Sequence, residues 1–551
     1  MTRAKPASRP SRPEAPPPPI ERAGRGTLQS RLFWAAFAAI VLVGVFLRVW
    51  QIGGQFVLDD EMHAIRALSR HPASYILTHF FNSDICIPQT IFLKFVSGLS
   101  PLTETSARLL SLAFGIGLLF WPLLLRRQAA GGALLILAAM TALHPLLVLY
   151  SRYERQYIVV VALATASLLC FHRFCETGRR RLIVLHALLA AMAMYFHLLA
   201  APTVCAPLAL AIASNLLGGF PLGRKFRLPD IALGALVLGV TLAATLGPPI
   251  AVDHQSLTSK SMKAALAAPT FYVSALMFLG VKNAWLGAPA LLVLVLGVAR
   301  LFRENRALAS IIAIPFVLQV AAMIILRPSM LDVPDVFVRY TFWELPLLLY
   351  CFVAGLGAIG QAAGRMLPAA AGVELTIAAA WLALSPTWAF AYRHNNFMFP
   401  YMYQRMVVGR ERYIPKIYPA LASLPEQGAV AEAPWIYFKD VTPWPDYQAV
   451  HRRDVYAILL SDMYRSHPRL NQNEDGVRGE RLRFGKFITI DDAGRNPQIR
   501  FLVFHLKPAE EYGPADCIPV MNMSVIRSKI DPMIWTRAYA DDDIEAYVKR
   551  R

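Results

Sequence analysis

Runs of about twenty apolar residues recur along this chain from Leu32 onward, the length that crosses a bilayer as a helix. They fall at 32–50, 107–125, 130–150, 156–174, 182–198, 199–217, 231–251, 286–302, 308–326, 340–362 and 368–390. This pattern predicts about eleven transmembrane helices. Ala267–Val281 is apolar as well but shorter, and it reads as a re-entrant or interfacial helix rather than a twelfth span.

The loops between the runs alternate in charge. One set carries Arg126-Arg127, Arg173 with Arg179-Arg180-Arg181, Arg224-Lys225 with Arg227, Arg300 with Arg303 and Arg306, and Arg365. The basic, Pro-rich residues 1–30 belong to the same set, and they predict a disordered tail because such a segment cannot build a core. The positive-inside rule makes this side cytoplasmic. The other side then receives the long loop 51–106, the Ser151–Arg155 turn, the surroundings of His197, 252–285 and 327–339. It also receives everything after about residue 391, which in a bacterium is periplasmic.

After Tyr392 the long apolar runs stop, and charge, Pro and Asn increase. Glu411–Leu424 has helical spacing. Trp435–Phe438, Val455–Leu460, Phe487–Ile490 and Arg500–Phe504 are short β-branched and aromatic runs separated by turn residues. The expected architecture is an α-helical polytopic membrane domain over 31–391, followed by a soluble α/β domain over 392–551, a usual domain size.

Composition agrees with a lipid-covered exterior. Hydrophobic residues make up 56% of the 551, and only 17% are charged. The formal net charge of +19 would suggest nucleic acid in a soluble protein, but here much of it lies in the loops that orient a membrane protein. The six cysteines include no C-x-x-C pair. Cys86 and Cys517 both fall outside the apolar runs on the outer side, where a disulfide is chemically allowed.

Candidate chemistry collects on that outer side. Asp59-Asp60-Glu61 follows the first span directly. Carboxylates there can serve as a general base or hold a cation, and Asp before Glu-Met-His-Ala is equally a good helix cap. Asp84 later in the loop is a further acceptor or metal candidate, or a turn residue. Ser151-Arg152-Tyr153-Glu154-Arg155-Gln156-Tyr157 places two Arg residues on the side the positive-inside rule disfavours. Arg is costly near a bilayer unless paired, and its fork suits phosphate. Glu154 is an alternative partner for it. Arg339-Tyr340 repeats the anomaly, with Asp335 and Glu344 nearby in sequence. His197, His254 and Lys260 are possible substrate or metal contacts, with structural roles equally open. Neither a G-x-x-x-x-G-K-[ST] loop nor a G-x-G-x-x-G helix start occurs, which argues against a nucleotide-driven pump.

The order of these motifs resembles the GT-C class of membrane glycosyltransferases, in particular bacterial relatives of protein O-mannosyltransferases and of the lipid A aminoarabinose transferase. The resemblance is carried by Arg48-Val49-Trp50 then Leu58-Asp59-Asp60-Glu61, by Ile87-Pro88-Gln89-Thr90, by Ala107-Arg108-Leu109, by Ser151 to Tyr157, by His197, and by Arg339-Tyr340 with Pro346. It covers about residues 32–390; the last domain corresponds in position only. It implies a sugar taken from a polyprenyl phosphate and given to a lipid, glycan or protein acceptor at the periplasmic face of a bacterial inner membrane, by inverting direct displacement. It implies Asp60 as base, Glu61 as its orienting or cation-binding neighbour, and Arg152, Arg155 and Arg339 with Tyr340 as holders of the leaving phosphate. A divalent cation is an open possibility, without a firm ligand set. The competing expectations are a transporter or flippase for a lipid-linked sugar, and a non-catalytic partner that binds through its last domain.

Overall fold

The computed structural model describes residues 23–50, 52, 64, 67–68, 71–80, 86–100, 102–258, 268–280, 284–328, 331, 334–366, 415–433, 447, 450–458, 484–506 and 523–550. Asp59, Asp60, Glu61, Asp84 and Lys260 lie outside them, as do the expected span 368–390, the expected strand Trp435–Phe438, and Cys517.

The chain is a multi-pass membrane protein. Its helices include α1 (Ala23–Val49), α2 (Ile87–Leu99), α3 (Leu109–Gly117), α4 (Gly131–Leu143), α5 (Pro145–Ser151), α6 (Tyr157–Thr177), α7 (Arg180–Phe196), α8 (Ala201–Leu216), α9 (Leu228–Thr258), α10 (Ala268–Leu279), α11 (Ala284–Glu304), α12 (Arg306–Leu326), α13 (Pro334–Arg339) and α14 (Leu345–Met366). Among the described residues seven helices are long and apolar enough to span, or eight if α4 and α5 count as one bent span. Large apolar side chains such as Leu42, Leu236, Leu292 and Ile325 stay exposed, as a lipid-facing surface requires. The segment at 267–281 forms α10, whose apolar part is only Thr270–Leu279, too short to cross.

Two expected spans differ in detail. The run 107–125 is α3 continued by a 3₁₀ stretch, Leu118–Leu125, around Pro122. The run 130–150 bends by 53° between α4 and α5. Pro145 causes the bend, because proline brings no N–H to continue the ladder. The Leu146 N–H turns instead to His144 Nδ1 at 3.3 Å. That frees the carbonyls of Thr141 and Ala142 inside the protein, where an unpaired carbonyl is costly. Arg48 on α1 takes both, from Nη2 to Thr141 at 3.2 Å and from Nη1 to Ala142 at 3.0 Å.

The other helix contacts follow from small residues at crossings. A Cβ on Gly115 of α3 would overlap Ser151 at the end of α5. A Cβ on Gly297 of α11 would overlap the Cys351 carbonyl of α14, and one on Gly355 would overlap the Val293 carbonyl. Close backbone approach of this kind is the usual way membrane helices pack. Gly178, at φ +66, ends α6 in the left-handed conformation and lets α7 return beside it.

The last domain holds α15 (Ile417–Ser423), β1 (Ala429–Ala433), β2 (Val455–Ile458), β3 (Phe484–Ile488), α16 (Ile490–Arg495), β4 (Ile499–His505), α17 (Met523–Lys529), β5 (Trp535–Ala540) and β6 (Ile544–Lys549). The sheet order is β3-β2-β1-β4-β6-β5. β1 to β4 are parallel, and β6 and β5 add antiparallel. Alternation along β1 sends Ala429, Ala431 and Ala433 to one core and Val430 to the other. Glu432 follows Val430 on the second face and is fully buried. There the Tyr418 hydroxyl lies 3.2 Å from Glu432 Oε2 and 3.0 Å from His505 Nε2. His451 Nε2 approaches Glu432 Oε1 at 4.0 Å, beyond hydrogen-bond length.

Candidate functional site

The Ser151–Gln156 turn joins α5 to α6 and sits entirely inside the protein. Its two arginines diverge. Arg152, fully buried, follows α5 and turns its guanidinium to the end of α1. Its Nη1 donates to the carbonyls of Leu47 (3.1 Å), Arg48 (3.0 Å) and Trp50 (2.8 Å). The first two are carbonyls a helix end leaves without intrahelical donors, and Trp50 follows directly after α1. Arg152 thus caps α1 through Nη1.

Arg155 points the other way. Its guanidinium carbon lies 5.6 Å from the centre of the Tyr157 ring, and Nη2 reaches the Tyr157 hydroxyl at 3.5 Å. Arg339, at the end of α13, places its guanidinium carbon 5.7 Å from the same ring centre and 5.9 Å from that of Tyr340. Two cations from distant parts of the chain therefore share the Tyr157 ring, whose quadrupole favours positive charge over its faces.

His197 completes this cluster. It is half-buried at the C-terminal end of α7, where a 3₁₀ turn leads into α8. Its ring lies 5.8 Å from Tyr157, 5.3 Å from Tyr340 and 5.1 Å from Trp343. Trp343 stacks on Tyr157 at 6.3 Å. The junction after α13 is fixed by Gln319 of α12, whose amide donates to the carbonyls of Tyr340 (2.7 Å) and Leu199 (2.8 Å). Thr203 of α8 donates to the same Gln319 at 3.1 Å. The structure thus brings together Arg155, Arg339, Tyr340 and His197 from the candidates, and adds Tyr157 and Trp343.

His254 is exposed near the end of α9. Its neighbour Asp253 breaks the helical backbone there and accepts from the Phe80 N–H at 2.8 Å. Arg108 is fully buried and donates to the Ile52 carbonyl at 3.2 Å. Among the described residues no three His, Cys, Asp or Glu side chains are grouped to hold a metal ion.

An apolar cavity of about 230 Å³ lies between α10, α11, α12, α13 and α14. Phe271, Phe278, Leu294, Phe316, Phe337 and Leu348 are among its walls, and among the described residues Ser274 is the sole polar side chain in its lining. Phe337 and Arg339 sit two residues apart on α13. One short helix therefore contributes both a cavity wall and a cation of the Tyr157 cluster. Sequence reasoning missed Tyr157 and Trp343 because aromatics beside apolar runs look like ordinary lipid-facing or core residues. The adjacency of Tyr157 to the Arg pair was the available signal.

No protein-family model matches the chain, and no curated protein does either. Among solved structures it is similar to ArnT from Cupriavidus metallidurans in the apo state, with 14% identity and a TM-score of 0.49 over 95% of this chain and 98% of that one. The same protein bound to undecaprenyl phosphate gives 12% identity and a TM-score of 0.47 over the same shares. The apo oligosaccharyltransferase of Archaeoglobus fulgidus gives 11% identity and a TM-score of 0.47, over 87% of this chain and 70% of that one.

Proposed function

We propose that this chain is a GT-C-class glycosyltransferase that moves a sugar from a polyprenyl phosphate to an acceptor hydroxyl at the outer face of a bacterial inner membrane. The observation that carries this reading is α13, which contributes Phe337 to an apolar cavity and Arg339 to the Tyr157 cluster. A donor with a hydrocarbon tail and a phosphate head needs that pairing of slot and cation.

Arg155 and Arg339 are the phosphate contacts in this reading. Two guanidinium groups against one neutral ring repel each other, and a phosphate between them offsets that repulsion. The bond from the sugar C1 to the phosphate oxygen breaks as the acceptor oxygen attacks C1 from the opposite side. Negative charge then grows on the leaving phosphate, where fixed donors are worth most. His197, Tyr340 and Trp343 border the same place and would face the sugar. Arg152, engaged with α1, positions the turn rather than the phosphate.

The acceptor must lose its proton as it attacks. The role of base falls to Asp60, with Glu61 beside it, on the motif resemblance. A divalent cation at Asp59, Asp60, Glu61 or Asp84 would neutralise the phosphate further, and that requirement is part of the proposal to be tested. In this reading the amino-terminal segment is cytoplasmic and the last domain periplasmic, the orientation that the basic loops favour.

The test is transfer from a radiolabelled polyprenyl-phospho-sugar by the purified full chain, with donor binding measured in parallel. Asp60→Ala is expected to abolish transfer and keep donor binding. Arg339→Ala is expected to weaken both. Unchanged transfer by Asp60→Ala removes Asp60 as base. Movement of intact donor across vesicles, without formation of a glycoside, would replace the enzyme reading by the transporter.

A further inference from the structure

Glu154 lies between the two arginines of the α5–α6 turn and is fully buried. Its Oε1 accepts a hydrogen bond from Gln89 Nε2 at 3.0 Å. Gln89 is buried too and stands in the first turn of α2, next to Pro88. A carboxylate only accepts, so this bond fixes which end of the Gln89 amide faces Glu154. The other end, Gln89 Oε1, is buried without a hydrogen-bond donor. An amide that leaves its acceptor unmet in order to present its N–H is held for that single bond.

The rest of the turn is tied elsewhere. Ser111 Oγ of α3 donates to the Arg155 carbonyl at 2.9 Å. Arg152 is tied to α1. The Gln89–Glu154 bond is therefore the tie that comes from α2, within the outer segment 51–106, and it lands on the residue directly before Arg155. That segment also carries Asp59, Asp60, Glu61 and Asp84 in sequence.

We infer that Glu154 is a positioning residue for Arg155, and that Gln89 couples it to α2 of the outer segment, so that α2 and the turn that carries Arg155 are set together. The inference rests on the reading of Arg155 as a phosphate contact. In this inference Glu154 acts through Arg155. Its partner sits where a carboxylate is also tolerated, because acidic groups suit the first turn of a helix.

That tolerance supplies the experiment. Gln89→Leu, Glu154→Leu and the exchanged pair Gln89→Glu with Glu154→Gln are compared in the purified full chain, with Arg155→Ala as reference. The readouts are kcat and KM for transfer, affinity for a polyprenyl monophosphate, and hydrogen exchange over 152–156. Each single change is expected to lower kcat/KM about tenfold, the weight of one charge-assisted hydrogen bond, and to speed exchange in the turn. The exchanged pair is expected to restore both to within about threefold of the parent, since the amide–carboxylate bond is re-formed. Singles that behave like the parent, or an exchanged pair no better than the singles, overturn the coupling. An Arg155→Ala chain that binds the monophosphate as well as the parent overturns the phosphate reading instead, and the exchange data still report on the tie itself.

Discussion

Arg152 caps α1, the helix that carries Arg48, while Arg48 caps the end of α4 and reaches Ser151, the residue before Arg152. Arg48, on α1, donates to the carbonyls that Pro145 frees at the α4–α5 bend, and its Nε reaches Ser151 at 3.1 Å. Arg152, just after α5, returns to α1 and donates to the carbonyl of Arg48 itself at 3.0 Å. Both guanidinium groups are fully buried, and between them they satisfy five main-chain carbonyls outside their own helix turns. This exchange fixes where the α5–α6 turn begins, and so where Arg155 can point.

Removing either member is expected to damage folding before chemistry. Arg152→Ala leaves buried carbonyls at the end of α1 without donors, at about 1–3 kcal/mol each. The expected outcome is a clear loss of folded protein on size-exclusion chromatography and a lowered Tm. Arg155→Ala and Arg339→Ala are expected to keep the parent's Tm within a few degrees and lose transfer by about 100-fold or more, as for loss of a transition-state donor. Equal Tm losses in all three would show that the turn does not separate the roles as described.

The Tyr157 ring is expected to matter as a ring, not as a phenol. Both Arg155 and Arg339 lie within 5.7 Å of its centre, and the contact of its hydroxyl with Arg155 is a long 3.5 Å. Tyr157→Phe keeps the aromatic face and is expected to hold kcat/KM within about threefold. Tyr157→Leu removes two cation–π contacts of about 0.5–2 kcal/mol each, and is expected to lower kcat/KM by about tenfold or more. A Phe variant as poor as the Leu variant would assign the role to the hydroxyl.

Much of the membrane domain is legible in the chain because spanning helices need length and apolarity and little else. The interruptions are less legible. Pro145 and Pro122 are visible, but membrane helices tolerate proline when neighbours supply donors, and Arg48 as that donor is distant in sequence. In the last domain, Val455–Ile458 and Ile499–His505 were read near their true bounds from β-branched residues. Ala429–Ala433 was not, because three alanines and a Glu beside a single Val have low β propensity. It becomes a strand through its place between β2 and β4. β5 and β6 were missed as well, since β5 exposes most of its residues at the sheet edge and shows no long apolar run. For the site, the sequence places Arg152 and Arg155 in one turn but cannot say that they face opposite ways. A turn reverses side-chain direction within one residue or two, and only packing decides the partners.

The α11–α14 crossing is expected to be intolerant of any side chain at its glycines. Gly297 and Gly355 let each helix lie against the other's carbonyls at Cys351 and Val293. Gly297→Ala must push the helices apart, and overpacking of this kind costs about 1–3 kcal/mol. Both helices wall the apolar cavity, so the expected outcome is a lower Tm together with weaker affinity for a long-chain polyprenyl phosphate. Gly364, on the same α14, has open space where a Cβ would stand. Gly364→Ala is expected to leave both measurements unchanged or slightly raise the Tm, which separates a packing effect from a helix-propensity effect.

The last domain is expected to lose stability as the pH falls below about 6.5, the ordinary histidine value. Burial, reinforced by the positive charge of Arg453, pushes the His451 imidazole down to about 3. In the unfolded chain His451 takes up a proton near pH 6.5, whereas in the folded domain it does so only near pH 3. Between those limits the unfolded state binds the extra proton, so each pH unit costs the fold up to about 1.4 kcal/mol from this group. Above pH 6.5 both states hold it neutral and its contribution is flat. The surrounding Glu432, His505 and Tyr418 are buried with it, so no solvent is at hand to ease the charge. Limited proteolysis of the full chain, following cleavage after residue 415, should show protection falling steadily from pH 6.5 to pH 4. His451→Gln keeps a side-chain acceptor for the Arg453 N–H, which His451 Nδ1 accepts at 3.1 Å in the parent. It removes the titrating group, so its protection should start lower and vary less over the same range. A His451→Gln chain with the parent's full pH dependence would move the effect to another group of the cluster.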